Sequence, residues 1–280
     1  MHSVSEHSMD HLHELRAATA SSLPLDELAP HTYARDHTAF EALSDQRGLI
    51  ADWLVDHLTS SRSAPLSVLT VGCGDGALDA AVAERLLADD SDGCPLRYVG
   101  VEPFEVSAGH FHERMGRINR ERLSFDTIVA PFAKTSLDET FDVVTFVHSM
   151  YYVPDVAEAA HAASALLRPG GEAIVLSAPR GALNLLAGLL APAIEGHRQW
   201  FSDDVHDALT RSGLDLVMPA PIDAVVDLTD ASDDVLDFTV QARLTPDLRG
   251  LVRRYLADVS LVAGRSVVAH PVDTFIVRAV

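Results

Sequence analysis

Three glycines in a five-residue turn are the residues of this sequence best suited to bring the backbone close to a ligand. They are Gly72, Gly74 and Gly76, in the segment LTVGCGDGALDAAVAERLL, which starts as an apolar run and ends in a helical pattern. Glycine allows a tight turn from strand to helix, and the free N–H groups at the start of the helix can bind a ligand. The turn therefore predicts a site for a phosphate or a nucleotide-like molecule.

The spacing of the glycines argues against two common phosphate-binding motifs. The dinucleotide fingerprint needs two residues between its second and third glycines, whereas this turn reads GCGDG. The P-loop needs Gly-Lys-Ser/Thr, and no lysine lies near. Glu102 ends the next apolar run, and a carboxylate there can accept both hydroxyls of a ribose. Asp75 has two interpretations, a ligand contact or the N-cap of the following helix.

A second group of candidate residues follows the apolar run FDVVTFV. His148 comes directly after it, and the ordinary pKa of histidine suits a general base near neutral pH. Tyr151 and Tyr152 can hold a cationic or heteroaromatic substrate with their ring faces and orient it with their hydroxyls. The sequence predicts all three as substrate contacts, and His148 and Tyr152 also as catalytic residues. Ordinary packing at the end of a strand is the alternative.

Alternating strand and helix patterns position these residues. Between about residues 65 and 180, short apolar runs of strand type alternate with helical patterns. This alternation predicts an α/β fold with a parallel sheet, which binds ligands beyond the carboxyl ends of its strands. We expect the final segment VDTFIVRAV to add a last strand. The five runs are LSVLTVG, LRYVGVE, LSFDTIVA, FDVVTFVH and EAIVLSAP.

The rest of the chain predicts a helical substrate cap on this core. We expect residues 65–180 and 267–280 to form the core, and residues 1–64 and 181–266 to form the cap. The polar, histidine-rich residues 1–28 favour a solvated terminus over a metal site. A long insertion after the fifth strand favours an enclosed pocket for a small molecule.

Charge and cysteine content limit the class of partner. The 280-residue chain has a net charge of -20, which disfavours nucleic acids and anionic membranes. Its two cysteines, Cys73 and Cys94, form neither a disulfide framework nor a zinc motif. The sequence shows no signal-type segment and no run long enough to span a bilayer. We therefore expect a cytoplasmic protein with a small-molecule substrate and without a metal, and the oligomeric state stays open.

The motifs together resemble the class I S-adenosylmethionine-dependent methyltransferases. The resemblance rests on VLTVGCGDG, YVGVEP, FDVVTFVHSMYYV and LLRPGGEAIVLS, and it covers most of the chain. It implies a Rossmann-like sheet, mostly parallel with an antiparallel last strand, and S-adenosylmethionine as the cofactor, with S-adenosylhomocysteine as the product. It implies that the three glycines approach the methionine portion and that Glu102 holds the ribose. The other implied cofactor contacts are Asp75, Pro103, Ser107, Pro131, Phe132, Val147 and His148.

A finer likeness is to the histamine N-methyltransferase family. It rests on GVEPFEVS, FVHSMYYVPD, FSDDVHDALTRSGL, VLDFTVQARLTPDLRG and DTFIVRAV, in the same order. The likeness implies a substrate lobe with contacts near Gln46, His148, Tyr151, Tyr152 and His270. That family pairs the amine with an acidic residue near Gln46, where this chain offers only Asp45 and Gln46 itself. Phe40, Trp200, Phe201 and Phe238 are aromatic candidates for the substrate site, with core packing as their alternative.

The predicted activity is methyl transfer to a small molecule, with an amine or imidazole nitrogen as the first choice of acceptor. Methylation of a carboxylate or hydroxyl oxygen is the alternative within the same scaffold. A cofactor-binding protein without transferase activity is the alternative from another class. His148 and His270 do not specify a metal site, because two imidazoles without a carboxylate pattern select no particular ion.

Overall fold

A computed structural model describes residues 6–20, 25, 26, 28, 30–60, 65–88, 93–118, 121–191 and 200–279. It divides the chain into two compact units. We call Gly48–Ser177, Arg198–Ile222 and Asp273–Val280 the sheet unit, and Met1–Arg47, Ala178–His197 and Asp223–Val272 the helical unit.

The secondary structure of the described ranges alternates from β1 to β5 as the sequence predicts. The strands are β1 (Leu66–Val71), β2 (Leu96–Val101), β3 (Leu123–Ile128), β4 (Phe141–Val147), β5 (Leu167–Ser177), β6 (Asp215–Val217), β7 (Val225–Asp227), β8 (Val267–Ala269) and β9 (Asp273–Arg278). The helices are α1 (Glu6–Ala20), α2 (Pro30–Glu41), α3 (Gln46–Ser60), α4 (Ala77–Ala88), α5 (Glu105–Arg117), α6 (Val156–Ala165), α7 (Ala182–Leu190), α8 (Ser202–Arg211), α9 (Asp233–Val240) and α10 (Pro246–Asp258). None of these helices is long and apolar enough for a membrane span.

The sheet unit contains a seven-stranded sheet in the order β3-β2-β1-β4-β5-β9-β6. The first five strands are parallel, and β9 pairs antiparallel with both β5 and β6. The order reverses between β1 and β4, and ligands of such sheets bind outside the carboxyl ends of the strands at this point. The Rossmann-like α/β fold with its antiparallel last strand is confirmed.

Burial of the strands explains their apolar sequences. Every residue of β1 is buried, and Val68 and Leu69 have no exposed surface. A parallel strand covered on both faces reads as a continuous apolar run, because each of its side chains meets another layer. The helix α5 packs against β2 and β3, and α6 packs against β5 and β9.

The helical unit has its own hydrophobic core. Its helix α1 packs against α10, α2 and α7 pack against α9, and β7 and β8 form an antiparallel ribbon. The prediction of a solvated terminus is wrong for α1, since Leu12 and Leu15 are buried in this core and His11 pairs with Asp258. A short stripe of two leucines in a polar helix is a weak signal in the sequence. His2, one of the histidines behind that prediction, lies outside the described residues.

The boundaries of the units differ from the predicted ones. Residues 198–222, predicted as part of the cap, belong to the sheet unit, because α8 packs against α6 and β6 pairs with β9. Most of α3 also belongs to the sheet unit, and residues 178–180 and 267–272 belong to the helical unit. The sequence did not show the return of the chain to the sheet, because β6 has only three residues.

Candidate functional site

The glycine turn adopts a backbone that other residues avoid. Gly72, Gly74 and Gly76 have φ angles of 70°, 56° and 72°. This left-handed region favours glycine, because a Cβ there approaches the backbone carbonyl. The turn is anchored to the sheet where Gly72 N–H donates to Val101 O at 2.8 Å. Three left-handed glycines, at every second position of the turn, thus carry the chain from β1 to α4 at the switch point of the sheet.

The three glycines have different surroundings. A Cβ on Gly72 would lie 2.5 Å from Ser149 Cβ, and one on Gly76 would lie 2.7 Å from Phe111 Cδ2. A Cβ on Gly74 would meet no atom within 4 Å. Gly72 and Gly76 are therefore required by packing, whereas Gly74 leaves open space beside its backbone. Such a cradle fits a ligand that approaches the middle of the turn.

Glu102 is held in place by the backbone of the same edge. It is 6 % exposed, and its Oε2 accepts a hydrogen bond from Gly74 N–H at 3.1 Å. Its Oε1 accepts one from Phe104 N–H, also at 3.1 Å. A carboxylate has about four acceptor positions, so two remain for a bidentate pair of hydroxyls. The geometry fits the ribose contact that the sequence predicts.

Asp75 is engaged within the protein. Its Oδ1 accepts from Ala77 N–H at 3.0 Å, at the first residue of α4. Its Oδ2 pairs with the Arg114 guanidinium at 2.9 Å. These contacts favour the helix-cap interpretation of Asp75 over a direct ligand contact. They also pair Arg114 with a carboxylate, which leaves the guanidinium less available to a phosphate.

The thiol of Cys73, inside the turn, is unreactive. It is buried, and burial raises the pKa of its thiol far above the ordinary value, with Asp79 and Glu102 adding to the shift. A thiol that stays protonated is a poor nucleophile. Cys73 therefore serves packing, and its Sγ would lie 2.9 Å from a Cβ placed on Gly100.

The other predicted cofactor residues lie at or just beyond the carboxyl ends of β2, β3 and β4. The residues so placed are Pro103, Ser107, Pro131, Phe132 and Val147. Three residues at this edge were not singled out from the sequence. Phe104, 71 % exposed, lies two positions after Glu102, and Val129, 53 % exposed, follows β3. Ser149, after β4, fills the space beside Gly72.

His148 combines a strained backbone with a side-chain hydrogen bond. Its φ of 50° lies in the left-handed region, which is uncommon for residues other than glycine. Its Nδ1 lies 2.8 Å from the Tyr151 hydroxyl, and the two rings stack with centroids 5.9 Å apart. Tyr152 is 71 % exposed and contacts Tyr151 edge-on at 6.3 Å. Strain of this kind is concentrated at functional sites.

Substitution of His148 tests the strain. We expect His148→Gly to remain within about 1 kcal/mol of the parent protein, because relief of the left-handed strain offsets the lost hydrogen bond. We expect His148→Val to lose about 2 kcal/mol, because a β-branched residue tolerates this φ poorly. Urea unfolding followed by tryptophan fluorescence reports the sheet unit, since both Trp53 and Trp200 belong to it. Equal stability of the two variants would contradict the strain.

Within the helical unit, the structure brings together four predicted substrate residues. Phe40 lies 5.5 Å from both the Phe238 ring and the His270 ring, measured between centroids. Gln46 Nε2 donates to His270 O at 2.6 Å. His270 Nδ1 also lies 3.0 Å from Ser44 Oγ. The helical unit therefore presents an aromatic cluster that contains the His270 imidazole, and the His37 imidazole lies 5.6 Å from the Phe238 ring of the same cluster.

Burial keeps the His270 imidazole neutral. It lowers the pKa of His270 to about 4, and the smaller effect of Asp45 opposes the shift. The unfolded chain, with an ordinary histidine pKa of ~6.5, binds the proton first as the pH falls. We expect the helical unit to lose up to about 1.4 kcal/mol of stability per pH unit between pH 6.5 and 4 from this group. NMR titration of the ring measures the pKa, and an ordinary value would contradict the burial effect; His270→Asn removes this contribution and serves as the control.

Trp200 and Phe201 are fixed by packing in the sheet unit. Trp200 Nε1 donates to Val153 O at 3.0 Å, and the indole packs against the core of the sheet. Phe201 is 8 % exposed and immediately precedes α8, where its N–H donates to Asp204 Oδ2. Ser202 is the first residue of α8, and its hydroxyl donates to Asp273. These contacts favour ordinary packing over a substrate role for both aromatic residues.

Comparison with known proteins identifies the fold and the relatives of this chain. The family described as "Methyltransferase domain" matches residues 36–218. Ubiquinone biosynthesis O-methyltransferases of Azotobacter vinelandii and Stutzerimonas stutzeri are 29 % and 27 % identical over 146 residues, which is 52 % of this chain and 57 % of each relative. The chain thus spans about 57 % of the length of these curated relatives.

Solved structures give the same fold. The YcgJ protein of Bacillus subtilis aligns with a TM-score of 0.56 at 12 % identity, covering 81 % of this chain and 97 % of that one. The plantazolicin methyltransferase BpumL, solved with S-adenosylhomocysteine, aligns with a TM-score of 0.53 at 11 % identity, covering 98 % of this chain and all of that one. At these identities the likeness shows the fold. Together with the family match over residues 36–218, it shows that the chain belongs to the class I methyltransferase-domain family, whose methyl donor is S-adenosylmethionine.

Proposed function

We propose that this chain transfers a methyl group from S-adenosylmethionine to a small molecule. The observation that carries the proposal is the Glu102 carboxylate, held by Gly74 N–H and Phe104 N–H beside the open side of Gly74 at the switch point of the sheet. Family membership supports the cofactor. We propose five other residues at this edge as contacts of the same cofactor: Pro103, Ser107, Pro131, Phe132 and Val147.

Methyl transfer requires little covalent chemistry from the protein itself. The cofactor supplies an electrophilic methyl group on a sulfonium. The protein has to align the acceptor with that methyl group, exclude water, and remove a proton where the acceptor carries one. We propose His148 as the base, since it follows β4 at the edge where Val147 and the glycine turn lie. We propose Tyr151 and Tyr152 for the contacts around it, and the exposed ring of Tyr152 offers a face to the acceptor.

An oxygen acceptor has the stronger support. The relatives reported above are named O-methyltransferases, and at less than 30 % identity they suggest a reaction type and no specific substrate. Within the helical unit, Asp45 Oδ1 accepts Val225 N–H at 2.8 Å, and Gln46 is buried with its amide bonded to His270 O. Neither residue offers the buried carboxylate that a cationic amine would need. We therefore place hydroxyl or carboxylate oxygen ahead of the amine or imidazole nitrogen suggested by the histamine N-methyltransferase likeness.

Nitrogen remains the second candidate because of the tyrosines. The faces of Tyr151 and Tyr152 can attract a cation. The histamine N-methyltransferase likeness also implies substrate contacts near these two positions. Within the helical unit, we propose Phe40, Phe238 and His270 as a surface that binds an aromatic ring. Their cluster combines two apolar rings with a neutral imidazole, which can accept a hydrogen bond from a hydroxyl group.

A panel of acceptors distinguishes the candidates. The protein is incubated with methyl-labelled S-adenosylmethionine and with phenols, catechols, aliphatic and aromatic carboxylates, primary amines and imidazoles in turn. We expect label in a phenol or carboxylate product. Transfer only to amines would reverse the order of the two acceptors. Binding of the cofactor without transfer to any class would favour the cofactor-binding protein without transferase activity.

A further inference from the structure

Asp36 is a buried carboxylate on α2 of the helical unit. Its side chain is 7 % exposed. Arg35 donates to it from Nε and Nη2, which lie 2.7 and 2.6 Å from the same oxygen, Oδ1. Within the described part of the chain, no hydrogen bond or ion pair reaches Oδ2. A carboxylate offers about four acceptor positions, so those on Oδ2 remain for a ligand.

The charges around Asp36 make this carboxylate suited to a cation. Arg35 also pairs with Asp234 of α9, at 3.0 Å between Nη2 and Oδ2. Two carboxylates thus share one guanidinium, and the group keeps a net negative charge. Burial of a carboxylate is unfavourable unless a positive charge and hydrogen bonds compensate it. Because Arg35 is shared and its side chain is 62 % exposed, a second positive charge at Oδ2 would stabilise the carboxylate further.

An aromatic surface lies on the same face of α2 as Asp36. Phe40 follows Asp36 by four residues, and residues at this spacing are neighbours on one face of a helix. The half-buried Phe40 ring contacts the Phe238 ring of α9, with centroids 5.5 Å apart. Ring faces attract cations. A cation at Asp36 Oδ2 therefore has both a carboxylate and a ring within its reach.

We propose that Asp36 and Phe40 bind an organic cation within the helical unit, namely a primary ammonium group that carries an aromatic ring. Asp36 Oδ2 accepts a charge-assisted hydrogen bond from the ammonium, and the ring of the ligand packs against Phe40 and Phe238. Arg35 fixes the carboxylate through Oδ1, so Oδ2 needs little reorganisation. The proposal adds a charged group to the ring-binding surface proposed above, on which it rests, and it concerns no step of methyl transfer.

Three phenyl compounds of similar size test the preference for a cation. The full chain is titrated by calorimetry with phenethylamine, which is protonated near neutral pH, with phenethyl alcohol and with phenylacetate. We expect saturable binding of the amine, binding of the alcohol that is weaker by about tenfold or more, and no binding of phenylacetate. Equal affinity for the amine and the alcohol would overturn the cation site and leave the ring-binding surface. Absence of binding by both compounds would overturn the two together.

Two variants of equal net charge locate the cation. Asp36→Asn should lower the affinity for the amine to that for the alcohol, because an amide carries no charge. Asp234→Asn removes the exposed carboxylate that shares Arg35, and it should keep most of the preference for the amine. Any attraction by the overall charge of -20 changes equally in the two variants. A preference that survives in Asp36→Asn, or that is lost equally in both variants, would overturn the proposal.

Folding and cofactor binding are measured separately. If circular dichroism shows that Asp36→Asn does not fold, Phe40→Leu replaces it, since this variant keeps the carboxylate and removes the ring face. It should weaken the binding of the amine by about threefold, and unchanged binding would contradict the site. S-adenosylhomocysteine should bind all variants and the parent protein equally, because its proposed site lies in the sheet unit. Failure of the parent protein to bind it would overturn the proposed function and leave the cation site unaffected.

Discussion

Glu102→Ala is expected to weaken the binding of S-adenosylhomocysteine by tenfold or more. The carboxylate is buried and oriented by two backbone N–H groups, so its remaining acceptor positions need no reorganisation to bind two hydroxyls. Charge-assisted hydrogen bonds of this type contribute about 1.5–3 kcal/mol, which is a factor of ~10 to 150 in affinity. Isothermal titration calorimetry measures the change directly.

The substitution also removes the acceptor of Gly74 N–H and Phe104 N–H, so its effect on folding needs a control. Glu172→Gln alters another carboxylate of the sheet unit, one that pairs with His57. It is expected to lower the melting temperature while leaving the cofactor affinity unchanged. Glu102→Gln, which keeps one carbonyl acceptor, should fall between alanine and the parent protein. Unchanged affinity in Glu102→Ala would remove Glu102 from the binding site.

Gly72→Ala is expected to reduce mainly the stability of the fold, and Gly74→Ala is expected to reduce mainly the affinity for the cofactor. Both place a methyl group on a left-handed residue, which costs about 1–2 kcal/mol. At Gly72 the methyl group also meets Ser149 Cβ, and such overpacking adds about 1–3 kcal/mol. At Gly74 it meets no protein atom, so stability falls less. Because the open side of Gly74 is where we place the cofactor, its affinity should fall by tenfold or more.

Urea unfolding by tryptophan fluorescence and calorimetric titration measure the two effects separately. Gly93→Ala is a matched control, because Gly93 also has a left-handed φ, of 74°, with no atom near a Cβ, and it precedes β2 at the opposite end of the strand. It should reproduce the stability loss of Gly74→Ala and keep full affinity. Equal stability losses at Gly72 and Gly74 would contradict the packing difference. Full affinity in Gly74→Ala would place the ligand elsewhere.

The sheet and its ligand edge could be predicted because their signals are local. Strand-type runs, glycines and the acid at Glu102 follow one another within short segments, and parallel sheets place their strand ends together. The difference among the glycines could not be predicted in this way. It depends on Ser149 and Phe111, which are distant in sequence, and only the fold shows that they fill the space beside Gly72 and Gly76.

The helical unit and the details of the site were less predictable. The helix α1 buries two leucines in a polar sequence. The many polar residues of this segment led to the wrong prediction of a solvated terminus. The pairing of Asp75 with Arg114 and of His148 with Tyr151 depends on side-chain geometry that spacing alone does not give. Phe40 and Phe238 were aromatic candidates by residue type and His270 was a candidate through a family resemblance, and the sequence did not show that the three rings contact one another.

The central claim is that the glycine turn and Glu102 bind the cofactor of methyl transfer. Calorimetric titration of the full chain with S-adenosylhomocysteine, repeated with Glu102→Ala, tests it most directly. We expect saturable binding with one molecule per chain, and a dissociation constant at least tenfold larger for the variant. Absence of binding to the parent protein, or equal binding by both proteins, would contradict it.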